Sequence, residues 1–99
     1  MSDNPHYPVS TAAINWFDSA DQVRSRVYSS DGYNVIERCH DGDGWTTSQF
    51  KQPGRHVSAM QWTIGDMTFI RVYCTSDGTT TEWCWDSLTE WTKGSYTPV

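Results

Sequence analysis

Basic residues are scarce in this 99-residue chain, seven against twelve acidic ones, giving a formal charge of −5. Nucleic-acid affinity rests largely on Lys and Arg neutralising phosphates, so no nucleic-acid partner is expected. The chain also lacks an apolar run of the roughly 18 to 20 residues that cross a bilayer, and its N-terminus lacks the basic start and apolar stretch of a secretory signal. The expectation is a soluble protein without membrane insertion, cytoplasmic or released by a non-classical route. Only three cysteines are present. One stays unpaired even if two bridge, which excludes a disulfide-stapled mini-protein. Cys39, Cys74 and Cys84 with His6, His40 and His56 make no zinc spacing, and Asp41-Gly42-Asp43-Gly44 lacks the carboxylate ladder of a calcium hand. No metal or cofactor is expected. A sustained helical stripe is missing as well.

Aromatic residues are plentiful: six Trp, five Tyr and three Phe, 14% of the chain. That exceeds what the core of so small a domain needs, so part of the ring surface is expected at a ligand or subunit contact.

The aromatics recur in order. Arg26-Val27-Tyr28 reappears as Arg71-Val72-Tyr73 at an offset of 45 residues, which also carries Glu37 onto Glu82 and Cys39 onto Cys84. Trp45 then meets Trp91 at an offset of 46, one residue having entered the second turn. The chain is two copies of one unit, divided here into a leader over 1–11, a first unit over 12–53 and a second over 54–99, with 12–97 forming one domain. Runs rich in Val, Ile, Tyr and Phe predict strands over 25–29, 35–40, 57–63, 68–75 and 80–85, with turns at Asp31-Gly32 and Asp77-Gly78 and a hinge at Gln52-Pro53-Gly54. The fold class is all-β, two four-stranded propeller blades per chain.

Two blades cannot close a ring of the usual four to eight, so two, three or four chains are expected to assemble. The period-2 rule sends Glu82 and Cys84 to one face of their strand and Trp83 and Trp85 to the other. Each blade thus offers an Arg and a Glu to one neighbour and aromatics to the opposite one. A pocket between blades with a carboxylate, a guanidinium and indoles suits a neutral polyhydroxylated ring. Trp16, Trp62 and Trp83 read as packing, as do Tyr28 and Tyr73, while Phe50 and Tyr96 close equivalent units. No enzyme is expected. The glutamates recur singly rather than as a close pair, and no nucleophile triad or glycine-rich phosphate loop is present. The alternative is a structural or protein-interaction propeller without sugar binding.

The segments Ile70-Arg71-Val72-Tyr73, Thr81-Glu82-Trp83-Cys84-Trp85-Asp86 and Trp91-Thr92-Lys93-Gly94-Ser95-Tyr96 resemble the blades of fungal and bacterial fucose-binding lectins of the orange peel mushroom lectin type. The two-unit length is similar to the short bacterial, Ralstonia-like members. The resemblance implies a homotrimer completing a six-bladed propeller, with calcium-free, multivalent recognition of L-fucose and fucosylated glycans. It implies two pockets per chain. One joins Arg26, Glu37, Ser48 and Gln49 of the first blade to Trp85 and Trp91 of the second. The other joins Arg71, Glu82, Gly94 and Ser95 to His40 and Trp45 of an adjacent chain. His40, standing where the other unit has Trp85, is the main departure and implies a weaker site.

Overall fold

The computed structural model describes residues 8–98. Part of the leader expected over 1–11, residues 1–7 with His6 among them, lies outside the described residues, as does Val99. The described chain is all-β, two four-stranded antiparallel sheets in which every strand pairs with its neighbour in sequence. The first sheet holds β1 (Ser10–Phe17), β2 (Val23–Ser30), β3 (Asn34–His40) and β4 (Trp45–Pro53), and the second holds β5 (His56–Ile64), β6 (Met67–Ser76), β7 (Thr79–Asp86) and β8 (Thr89–Lys93). No helix among the described residues is long and apolar enough to cross a membrane.

Turn chemistry sets these meanders. Asp77 and Gly78, the two residues between β6 and β7, both have positive φ, 52° and 77°. That is the type I′ requirement, whose twist matches the flanking strands. The Asp31 turn is closed instead by its side chain, which accepts from the amides of Tyr33 and Asn34.

The two sheets share one core. Alternate residues of β6, Ile70, Val72 and Cys74, are buried against Trp16, Tyr28, Val35 and Phe50 of the first sheet. Polar pins cross the same seam: Ser30 Oγ donates to Gly54 O at 2.7 Å, and Gln61 Nε2 to Asn15 O at 2.9 Å. Gly54 lies at the narrowest point, where an added Cβ would stand 2.9 Å from Cys74 Cβ and 3.1 Å from Val35. A side chain there would wedge the sheets apart.

Because the units are copies, each sheet has a face carrying Arg, Tyr and Glu and a face carrying aliphatic residues or Trp. The Arg26–Tyr28–Glu37 face of the first sheet is covered by β6 and the indoles of β7 and β8. Its counterpart on the second sheet is open, with Met60 and Tyr96 exposed. The opposite face of the first sheet is open too, with Val23 and Trp45 exposed. The surfaces that pack inside the chain therefore recur, unpaired, at its two ends.

Candidate functional site

Two irregularities in the strand ladders shape the site. Ile36 pairs with Lys51 and Arg38 with Thr47, so Ser48, Gln49 and Phe50 together oppose Glu37. In the second sheet Cys84 pairs with Thr92 and Asp86 with Thr89, leaving Glu90 and Trp91 opposite Trp85. The residue inserted in the second unit is absorbed as this bulge. In the first unit His40 pairs directly with Trp45, without one. Bulges re-aim side chains at functional edges, and both of these open onto the same space.

That space is a cavity of about 490 Å³ between the sheets, walled by Arg26, Glu37, Ser48, Gln49, Trp85 and Trp91. These are all six residues of the expected intra-chain pocket. Cys39, Phe50, Gln52, Ile70 and Glu90 complete its wall. Trp91 is fixed by rings of the other sheet, 4.5 Å from Phe50 and edge-on to Tyr28 at 6.4 Å. Its position thus depends on first-sheet residues.

The charged groups are held firmly. Glu37 is 4% exposed, and Tyr28 Oη donates to its Oε2 at 2.6 Å. Burial, then the neighbouring Glu37 charge, pushes the Tyr28 phenol far above its ordinary range, so it remains a donor to the carboxylate. Arg26 Nε lies 4.0 Å from Glu37, while Nη1 donates to Asp41 at 2.7 Å and to Ser25 O at 2.9 Å. The guanidinium sits 5.1 Å over the Trp16 ring. Burial opposes the Arg26 charge most strongly, but the Asp41 hydrogen bond and the attraction of nearby charges, Asp41 and Glu37 among them, together outweigh it and raise the pKa. Burial also drives the Cys39 thiol up to about 11, leaving a protonated side chain in the cavity wall rather than a nucleophile.

The second constellation is divided between the chain's two ends. Arg71 Nε lies 3.9 Å from Glu82 and its guanidinium 5.0 Å over Trp62, while Tyr73 Oη donates to Glu82 Oε2 at 2.8 Å, repeating the first unit. Gly94 presses on this carboxylate: a Cβ there would fall 2.8 Å from Cys84 Sγ and closer still to Glu82. The close approach lets the Tyr96 amide donate to Glu82 Oε1 at 3.1 Å, whereas in the first unit the Phe50 amide donates to Ser48 Oγ. Ser95 lies in the segment after β8. His40 and Trp45 meet edge-on at 5.2 Å and line a separate depression with Val23 and Gly42, which contains none of Arg71, Glu82, Gly94 or Ser95. The Gly42 amide donates to His40 Nδ1 at 3.3 Å, leaving Nε2 for another partner.

Tyr28, Phe50 and Asp41, which sequence reasoning assigned to packing, unit closure or a turn, contact Glu37, Trp91 and Arg26 of the cavity wall. The Tyr–Glu pair could have been found: the two stand nine residues apart in both units, across a predicted hairpin.

Residues 3–98 match the family described as fungal fucose-specific lectin. No curated protein matches the chain.

Proposed function

This chain belongs to the fungal fucose-specific lectin family and is a carbohydrate-binding lectin, and from that premise we propose that the cavity between its two sheets is the L-fucose site. The observation that carries the reading is the meeting of Arg26 and Glu37 of one sheet with Trp85 and Trp91 of the other in one cavity. Tyr28 engages Glu37 Oε2, leaving Oε1 to accept from a sugar hydroxyl. Arg26 Nη2, held by Asp41 at a long 3.4 Å, donates to a neighbouring hydroxyl. The indole of Trp85 adds an N–H donor, Trp91 covers the apolar edge of the sugar, and main chain at Ser48 and Gln49 closes the rim.

A second kind of site forms between chains, Arg71, Glu82, Gly94 and Ser95 meeting His40 and Trp45 of a neighbouring copy. The open ends of one chain are heterologous surfaces, and closing them by rotation gives a ring. Three chains give six blades and up to six sites, each chain contributing a leader over 1–11 and blades over 12–53 and 54–99. Fucosylated glycoconjugates on a surface are then held by several weak contacts at once.

Titration calorimetry with L-fucose at a mass verified by sedimentation tests the reading. The expectation is two sites per chain on a trimer, with Arg26→Ala weakening one class about ten- to a hundredfold through loss of a charge-assisted hydrogen bond. Unchanged affinity and stoichiometry in that variant would remove the cavity assignment.

A further inference from the structure

A second cavity, about 370 Å³, opens beside the first, and Arg26 and Trp85 form part of both walls. The remaining wall comes from the ends of β1, β2, β5 and β6 with the turns between them, and from Ser87, none of which the fucose reading takes as a sugar contact. We propose that this cavity is a second carbohydrate subsite, taking the neutral hexose or N-acetylhexosamine residue to which the fucose is joined. The proposal rests on the reading of the first cavity as the fucose site.

The two spaces share Arg26 and Trp85 in their walls, so a sugar held in one has its next residue within reach of the other. The wall also has the chemistry of a saccharide contact. Phe17 is 67% exposed at the end of β1 and offers a ring face to C–H groups or an acetamido methyl. Asp66, in the two-residue turn between β5 and β6, has no hydrogen bond or ion pair among the described residues and is an acceptor for sugar hydroxyls. Thr63 and Ser87 add hydroxyls already ordered through Thr68, Thr63 Oγ1 lying 3.4 Å from Thr68 Oγ1 and Ser87 Oγ accepting from the Thr68 amide at 2.9 Å.

Charge decides the class of sugar. Arg24 is engaged by Asp18 at 3.0 Å and Asp41 at 3.5 Å. Asp18 is itself saturated by the amides of Ala20 and Gln22 and by Arg24. The carboxylate of Asp66 is left unbalanced, so a sialic acid or sulfated residue would meet repulsion while a neutral residue meets an acceptor.

The test compares methyl α-L-fucoside with disaccharides in which fucose is α1,2-, α1,3-, α1,4- or α1,6-linked to galactose or N-acetylglucosamine, titrated into the intact protein and into Asp66→Ala and Phe17→Ala. Both side chains are exposed, and circular dichroism checks that the variants keep the fold. At least one disaccharide should bind about three- to tenfold more tightly than the fucoside, and each variant should reduce that surplus while fucoside affinity stays in place. If no disaccharide exceeds the fucoside, or if the variants weaken both ligands equally, the subsite is overturned and the fucose cavity stands. If the wild-type protein does not bind the fucoside, the fucose reading fails and the subsite falls with it.

Discussion

Arg26, Tyr28 and Glu37 lie in the same pattern as Arg71, Tyr73 and Glu82, with ion-pair spacings of 4.0 and 3.9 Å and the same tyrosine hydrogen bond. The two sets nevertheless differ in burial. The first is covered by the neighbouring sheet, and the Glu37 side chain is 5% exposed against 14% for Glu82. Phe50 is 4% exposed and its counterpart Tyr96 is 47% exposed. Constellation geometry is thus a property of one hairpin, set by register and the Tyr–Glu bond. Burial and the aromatic wall are properties of a neighbour. A blade carries its Arg–Tyr–Glu set alone, and within the chain only the first of the two sets is covered by a neighbouring sheet.

The comparison breaks most sharply at the ring behind each glutamate. Phe50→Ala should cost about 3–5 kcal/mol, because it empties a core position beneath Trp91. Tyr96→Ala in the free chain should cost under about 1 kcal/mol, as expected of a half-exposed residue. Denaturant unfolding at fixed protein concentration measures both, and equal losses would show that the second face is covered as the first is.

Next come the tyrosines. Tyr28→Phe leaves a buried carboxylate short of a donor and should cost about 1–3 kcal/mol, with Tyr73→Phe costing less because Glu82 is wetter and keeps the Tyr96 amide. The same unfolding measurement ranks them. Assembly that buries Glu82 should bring the two values together, so a dependence of the gap on protein concentration would report closure.

Asp41 gives a smaller, pH-dependent distinction. It neutralises Arg26, and no ion pair is found at Arg71 other than that with Glu82 among the described residues. Burial would raise the Asp41 pKa, but the Arg26 hydrogen bond and the two nearby arginines hold it below the ordinary 3.8. A depressed carboxylate contributes stability above its unfolded pKa and loses it as pH falls through the folded value. Wild type should therefore exceed Asp41→Asn by under about 1 kcal/mol at neutral pH, the pair being partly exposed. The difference should begin to shrink near pH 3.8 and vanish once the pH has fallen through the lowered folded-state value, which melting temperatures across an acid series would check.

The smallest change sharpens the half-sites rather than the faces. His40→Trp restores an indole where the other unit has Trp85 and should tighten fucose binding at one class of site about two- to fivefold. An unchanged isotherm would mean that position 40 does not touch the sugar.

Much of this was legible in the sequence because it repeats. The Arg, Glu and Trp positions, the all-β class and the Asp-Gly turns follow from one offset and strand parity. The outer strand β4, Trp45–Pro53, was not distinguished by composition. Its residues Thr46 to Gln49 are polar, and its strand state comes from pairing with β3. The short β8 and the alanine-containing β1 escaped for the same reason. Asp41 reads as punctuation in an Asp-Gly-Asp-Gly turn, since nothing local shows that the turn returns it to Arg26, fifteen residues back. Such a partner becomes visible only when the hairpin register is known.

Gly54 gives the molecule a property of another kind. Its missing side chain lets Cys74 and Val35 close on the backbone between the sheets, which makes it the vertex of the angle between one blade and the next. In a closed assembly that angle can take only the values that divide a full circle into whole parts. A methyl group at this vertex would therefore not enlarge the ring smoothly: the strain would be absorbed in place, or the count of subunits would jump.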